Sequence, residues 1–141
     1  MRTAKKLVFE GITADIIGAF YEVYNELGYG FLESVYRRAL IVSLNERSLF
    51  CQSELLLTIS YHGVHVGDYK ADLIVESKIV VETKSASAIH PAHELQLYNY
   101  LKASRLQVGL VLNFGPTAAY TRHVLSSALL RKNPINPLLS D

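Results

Sequence analysis

The chain is poor in cysteine, in charge and in long apolar runs, and each shortage closes off a class of explanation. Cys51 is the single cysteine among 141 residues. That excludes an intramolecular disulfide framework and a cysteine-rich zinc or iron–sulfur site. It fits a reducing compartment, and a cytoplasmic location is expected. Charged residues make up 19% of the chain and the formal net charge is +1. No global basic field advertises nucleic acid, so any polyanion site must be a local patch. No stretch approaches the roughly 18 apolar residues of a membrane span. The opening "MRTAKKLVFEGITADIIGAF" places basic residues ahead of apolar ones, as a signal peptide does. Glu10 and Asp15 interrupt its apolar run and argue against that reading. Repeats, low-complexity tracts and linkers are missing too, so residues 1–141 read as one domain.

Half of the residues are hydrophobic. That is enough for a sizeable core, with room for a buried sheet or an interface with a second copy. Ile12, Ile16, Ala19, Phe20, Val23 and Leu27 recur at three- and four-residue steps and predict a helix over about 10–27. Gly28 suits its C-cap. A second helix is expected from about Leu32 to Arg47. "ELLLTISY" (54–61) is short and β-branched, which favours a strand. "HG" at 62–63 marks a turn, and strands near 64–75 and 79–84 follow. Pro91 suits the first position of a helix running to about Ala103. "LQVGLVLNF" (106–114) reads as a strand buried on both faces. A last helix over about 118–131 and an irregular tail from about 132 complete the order ααβββαβα. Helices around a mixed sheet are the expected class.

The chemistry concentrates in "YKADLIVESKIVVETKSA", residues 69–86. Two strand-like runs carry a carboxylate each, Asp72 and Glu82, where core residues are expected. Side chains alternate along a strand, so Lys70, Asp72 and Ile74 share one face, and Val80, Glu82 and Lys84 share another. A hairpin centred on Ser77 sets Asp72 opposite Glu82; a two-residue loop would put them on opposite faces. Like charges directly opposite each other destabilise a sheet. The repulsion can be offset by a raised pKa on one acid, by Lys70 and Lys84 in a solvated network, or by a divalent cation. Two carboxylates with carbonyl and water oxygens suit Mg²⁺ or Mn²⁺. On spacing alone, a charged strand face is the commoner explanation.

A second motif shifts the balance. In "GFLESVY", Gly30, Glu33 and Tyr36 form G-x-x-E-x-x-Y. "LGYGFLESVYRRAL", "YKADLIVESKIVVETKSA", "HELQLYNYLKAS" and "VGLVLNFG" follow in order. Together these blocks resemble the GxxExxY proteins, a branch of the PD-(D/E)XK nuclease-like superfamily, over nearly the whole chain. The resemblance implies a restriction-endonuclease-like αβββαβ core, here with additional helices at both ends. It implies a nuclease that hydrolyses nucleic acid, DNA or RNA, with Mg²⁺ or Mn²⁺. Asp72 and Glu82 would bind the metal, with the Thr83 carbonyl and Glu33 as further ligands. Lys84 would be the lysine of (D/E)XK, and Gln96 a glutamine carried on the following helix by some branches. Thr83 stands where a leucine is usual, and Tyr29 where a proline is usual.

Other residues have plainer readings. His90 and His93 have a metal-like spacing, but His90 sits ahead of Pro91 at the helix start, which disfavours zinc. Gly30 is read as backbone geometry and Tyr36 as packing with a bonded hydroxyl. Arg37, Arg38, Lys102, Arg105 and Arg122 could line a polyanion groove, although lone basic residues on helices are usually only solvated. The rival function is a non-catalytic module on the same fold that binds nucleic acid or a protein partner.

Overall fold

The structure is a computed structural model that describes residues 9–126. Its elements are α1 (Glu10–Leu27), α2 (Glu33–Glu46), β1 (Cys51–Tyr61), β2 (Val64–Val75), β3 (Ile79–Lys84), α3 (Pro91–Ser104), β4 (Val108–Phe114) and β5 (Ala118–Val124). The five strands form one mixed sheet in the order β1-β2-β3-β4-β5. Only β3 and β4 are parallel, and α3 connects them, as a parallel pair requires.

The apolar periodicity of α1 buries Ile16, Ala19, Phe20 and Val23 against α2 and one face of the sheet. The N–H of Gly28 bonds to the Tyr24 carbonyl at 2.8 Å and closes α1, with the glycine at φ 74°. The opposite sheet face packs on α3 through Leu97, Tyr100 and Leu101. Helices on both sides explain why all seven residues of β4 are buried.

Residues 118–124 correct the expectation of a C-terminal helix: they form β5, an edge strand antiparallel to β4. The alanines of this stretch favour a helix. However, Gly115–Thr117 turns the chain back along β4, whose outer edge would otherwise leave buried backbone groups unpaired. Ladder pairing outweighs local propensity, and the order is ααβββαββ. Leu125 and Ser126 are not helical either, and residues 127–131 of the expected helix, with the irregular tail, lie outside the described residues.

Among the described residues, no helix is long and apolar enough to cross a membrane.

Candidate active site

The β2–β3 ladder pairs Leu73 with Val81, Ile74 with Val80 and Val75 with Ile79. It is therefore centred on Ser77, with Glu76 and Ser77 both left-handed in the turn. One step further, the register sets Asp72 against Glu82, and there the two strands part. The Asp72 carboxylate bridges the gap. Its Oδ2 accepts from the Thr83 N–H at 2.8 Å and from the Thr83 hydroxyl at 2.9 Å. The other neighbour of β2 breaks at the same level. The β1–β2 ladder runs from Ser53↔Leu73 to Leu55↔Ala71 and skips Glu54, which is left-handed at φ 54°. The register is the same on both sides of that gap, and the ladder's shift lies between Ile59 and Ser60.

Glu82 is 7% exposed. Burial, and then the neighbouring Asp72 carboxylate, push its pKa up to about 8. Lys84 and a hydrogen bond from the Asp72 backbone oppose the shift, and Glu33 adds to it. Of the three ways to relieve the acid pair, the protein alone uses a proton held on Glu82. Lys70 takes no part; it lies 3.9 Å from Glu54, which also pairs with Arg37 at 3.5 Å. Lys84 stays with the acids, and its Nζ donates to Gln96 Oε1 at 3.5 Å. Gln96 thus reaches across from α3, while Tyr100 on the same stripe turns into the core. Burial, and then Glu82, push the Tyr100 hydroxyl up to about 12.

Glu33 is the first residue of α2, and its Oε2 accepts from the Ser85 N–H at 3.2 Å, just past Lys84. The loop ahead of it is held by Tyr36. That fully buried ring stacks on Phe114 at 4.4 Å, and its hydroxyl donates to the Gly28 carbonyl and accepts from the Phe31 N–H. Gly30 has φ 121° with open space around it, so backbone conformation and not crowding calls for glycine there. The G-x-x-E-x-x-Y spacing is thereby a device that delivers Glu33 to the end of β3.

Asn113 was invisible to sequence reasoning. It is fully buried beside Lys84 in the β3–β4 register. Its amide accepts from the Ala86 N–H at 2.9 Å and donates to the Ala86 carbonyl at 3.0 Å. A lone amide inside "VGLVLNF" was the available signal, since a buried polar side chain must find partners. His90 and His93 are occupied by the start of α3. His90 Nδ1 accepts from the Ala92 N–H at 3.0 Å, and His93 Nδ1 accepts from the His90 N–H at 3.2 Å.

The donor set fits a hard divalent cation: two adjacent carboxylates, one of them buried, with its pKa raised by burial and by the other acid more than Lys84 lowers it. The set is lean. Among the described residues, no three His, Cys, Asp or Glu side chains are grouped to hold an ion.

A family model for the PD-(D/E)XK nuclease superfamily matches residues 10–124. No curated protein matches the chain. Among solved structures it is similar to SSO0001, with 21% identity over 81% of this chain and 63% of that one, at a TM-score of 0.55. It is also similar to an alkaline exonuclease, LHK-Exo, from Laribacter hongkongensis. There the identity is 10% over 90% of this chain and 76% of that one, at a TM-score of 0.52. The chain thus spans 63% of the length of SSO0001. Identities this low carry the fold alone.

Proposed function

The chain belongs to the PD-(D/E)XK nuclease superfamily and has a restriction-endonuclease-like fold, and from that premise we propose that it is a metal-dependent nuclease of the GxxExxY branch. It hydrolyses phosphodiester bonds of nucleic acid with Mg²⁺ or Mn²⁺. The observation that carries this reading is the buried Glu82 beside Asp72, held near pKa 8 where the strands part. A fold maintains such a repulsion at a cost to its own stability, and a bound cation relieves it.

Asp72 and Glu82 would hold the ion. The Thr83 carbonyl leaves β3 on the same side as the N–H that meets Asp72, and Glu33 stands at the rim. When bound, the ion lowers the pKa of a water and neutralises phosphate charge. Lys84, beside the acids, orients the attacking water or stabilises the negative charge that develops on the phosphoryl and leaving oxygens. Gln96 accepts from Lys84 and fixes where its ammonium points. Catalytic roles thus fall to Lys84, Asp72 and Glu82, with Glu33 and Gln96 in support. A cytoplasmic location, and a second copy or protein partner that supplies target choice, belong to the same reading.

The test is incubation of labelled single- and double-stranded DNA and RNA with Mn²⁺, comparing wild type with Lys84→Ala. Cleavage should fall by about 10²–10³-fold, as when one transition-state donor is removed. Equal cleavage by both proteins sinks the assignment. One observation favours the rival, a non-catalytic binding module: Glu33 is engaged by Ser85 and completes no three-acid cluster. Binding without cleavage on every substrate would decide for it.

A further inference from the structure

Two adjoining grooves run along α3, and Gln96, which lines the first, bonds to Lys84. The first, about 340 Å³, is lined by His93, Gln96 and Asn99 together with Tyr69 of β2. The second, about 200 Å³, shares Tyr69 and Asn99 and ends at Lys102. No carboxylate lines either groove, whereas Glu22, Glu26 and Glu46 line the groove between α1 and α2.

His93, Gln96, Asn99 and Lys102 follow at three-residue steps, a row that rises about 13.5 Å along α3 while winding about half a turn around it. Every member presents a donor. His93 Nδ1 accepts from the His90 N–H, which leaves Nε2 as the protonated nitrogen of the neutral ring. The oxygen of Gln96 faces Lys84, which leaves its NH₂ outward. The Asn99 amide has no hydrogen-bond partner among the described residues, and Lys102 has no carboxylate partner there; it lies over the Tyr98 ring at 5.2 Å. Lys84 stands at the end of the stripe nearest the acids.

We propose that this stripe, with Tyr69 as its aromatic wall, is the track that holds a single strand of nucleic acid leading to or from the site at Lys84. The proposal rests on the nuclease reading for its direction but not for its binding. One row of donors matches one sugar–phosphate backbone, and a half-buried tyrosine supplies a face for a base. A duplex presents two charged strands, and the row, with Lys102 in it and Lys84 of β3 beside it, offers no second row for the other strand.

The experiment is fluorescence anisotropy of a labelled oligothymidine, and of a duplex of equal length, in chelator so that nothing is cut. The proteins are wild type, Asn99→Asp, Lys102→Glu and, as control, Arg38→Glu on α2, with thermal melts to establish folding. A carboxylate placed in the track should weaken single-strand binding by about tenfold or more in either variant, with the control unchanged. The tighter ligand for wild type should be the single strand. Unchanged binding in both folded variants, equal losses in the control, tighter duplex binding, or no single-strand binding by wild type would each overturn the track. The nuclease reading fails separately. Loss of binding in the variants, together with no cleavage in Mn²⁺ by wild type, would keep the track and remove the enzyme. Cleavage by wild type with unaltered variants would do the reverse.

Discussion

Glu82 is the residue on which most depends, and its titration gives the first prediction. Its folded pKa of about 8 lies above the ordinary glutamate value of 4.5. Between those limits the folded state binds the proton that the unfolded chain has released. Stability contributed by this group is full below about pH 4.5 and is lost as pH rises through about 8. In chelator, the wild-type free energy of unfolding should therefore fall by on the order of 3–5 kcal/mol from the acid to the alkaline end of that window. Glu82→Gln keeps the shape and removes the titration, so its urea-unfolding profile should be flatter by that amount. Parallel profiles for the two proteins would mean that Glu82 ionises freely in the fold. Asp72 is placed differently: its carboxylate accepts two hydrogen bonds from Thr83. The two acids are therefore unlike, although the spacing in the sequence makes them look equivalent.

At the scale of elements, the end of β3 is held from behind by β4. Asn113 satisfies both backbone groups of Ala86, and Gly115 lies so close that a Cβ there would stand 2.1 Å from the Ala86 carbonyl oxygen. Asn113→Ala should cost about 1–3 kcal/mol through unpaired backbone groups, read from denaturant melts. It should also reduce cleavage, because the segment after Lys84 loses its anchor. Gly115→Ala should displace the same loop, since the obstacle is backbone and cannot swing aside. A Gly115→Ala protein as stable as wild type would contradict that packing. The hairpin, the two N-terminal helices and α3 were legible because their signals are local: apolar period, Gly28, Pro91 and the turn at Ser77. The strand β5 was not, since its alanines favour a helix and only the edge of β4, distant in pairing terms, makes it a strand. The grip of Asn113 on Ala86 and the left-handed break at Glu54 are likewise tertiary facts that no spacing records.

For the whole molecule, the question is how a chain of net charge +1 engages a polyanion. The grooves on the two sides are lined differently. The α1–α2 groove carries three glutamates, and the α3 side carries Lys84, Lys102 and neutral donors. The acid pair includes the buried Glu82, which keeps its proton until a cation arrives or the pH passes about 8. Cation binding, proton release and stability are therefore one linked equilibrium. A ligand that binds only the folded state stabilises it by about 2.7 kcal/mol at a hundredfold excess over its Kd. For a chain of this size that is a rise in Tm of about 5–15 °C. Mn²⁺ should produce such a rise in wild type and none in Asp72→Asn. Because the ion competes with the proton on Glu82, the apparent affinity should strengthen from about pH 6 to about pH 9. Wild type in Mn²⁺ should then show a smaller loss of stability at alkaline pH than wild type in chelator. Differential scanning fluorimetry across a titration of Mn²⁺ at both pH values measures all of this without a substrate. A Tm that ignores millimolar Mn²⁺ at alkaline pH, where Glu82 is already ionised and the proton no longer competes, would leave the acid pair without a metal-binding purpose.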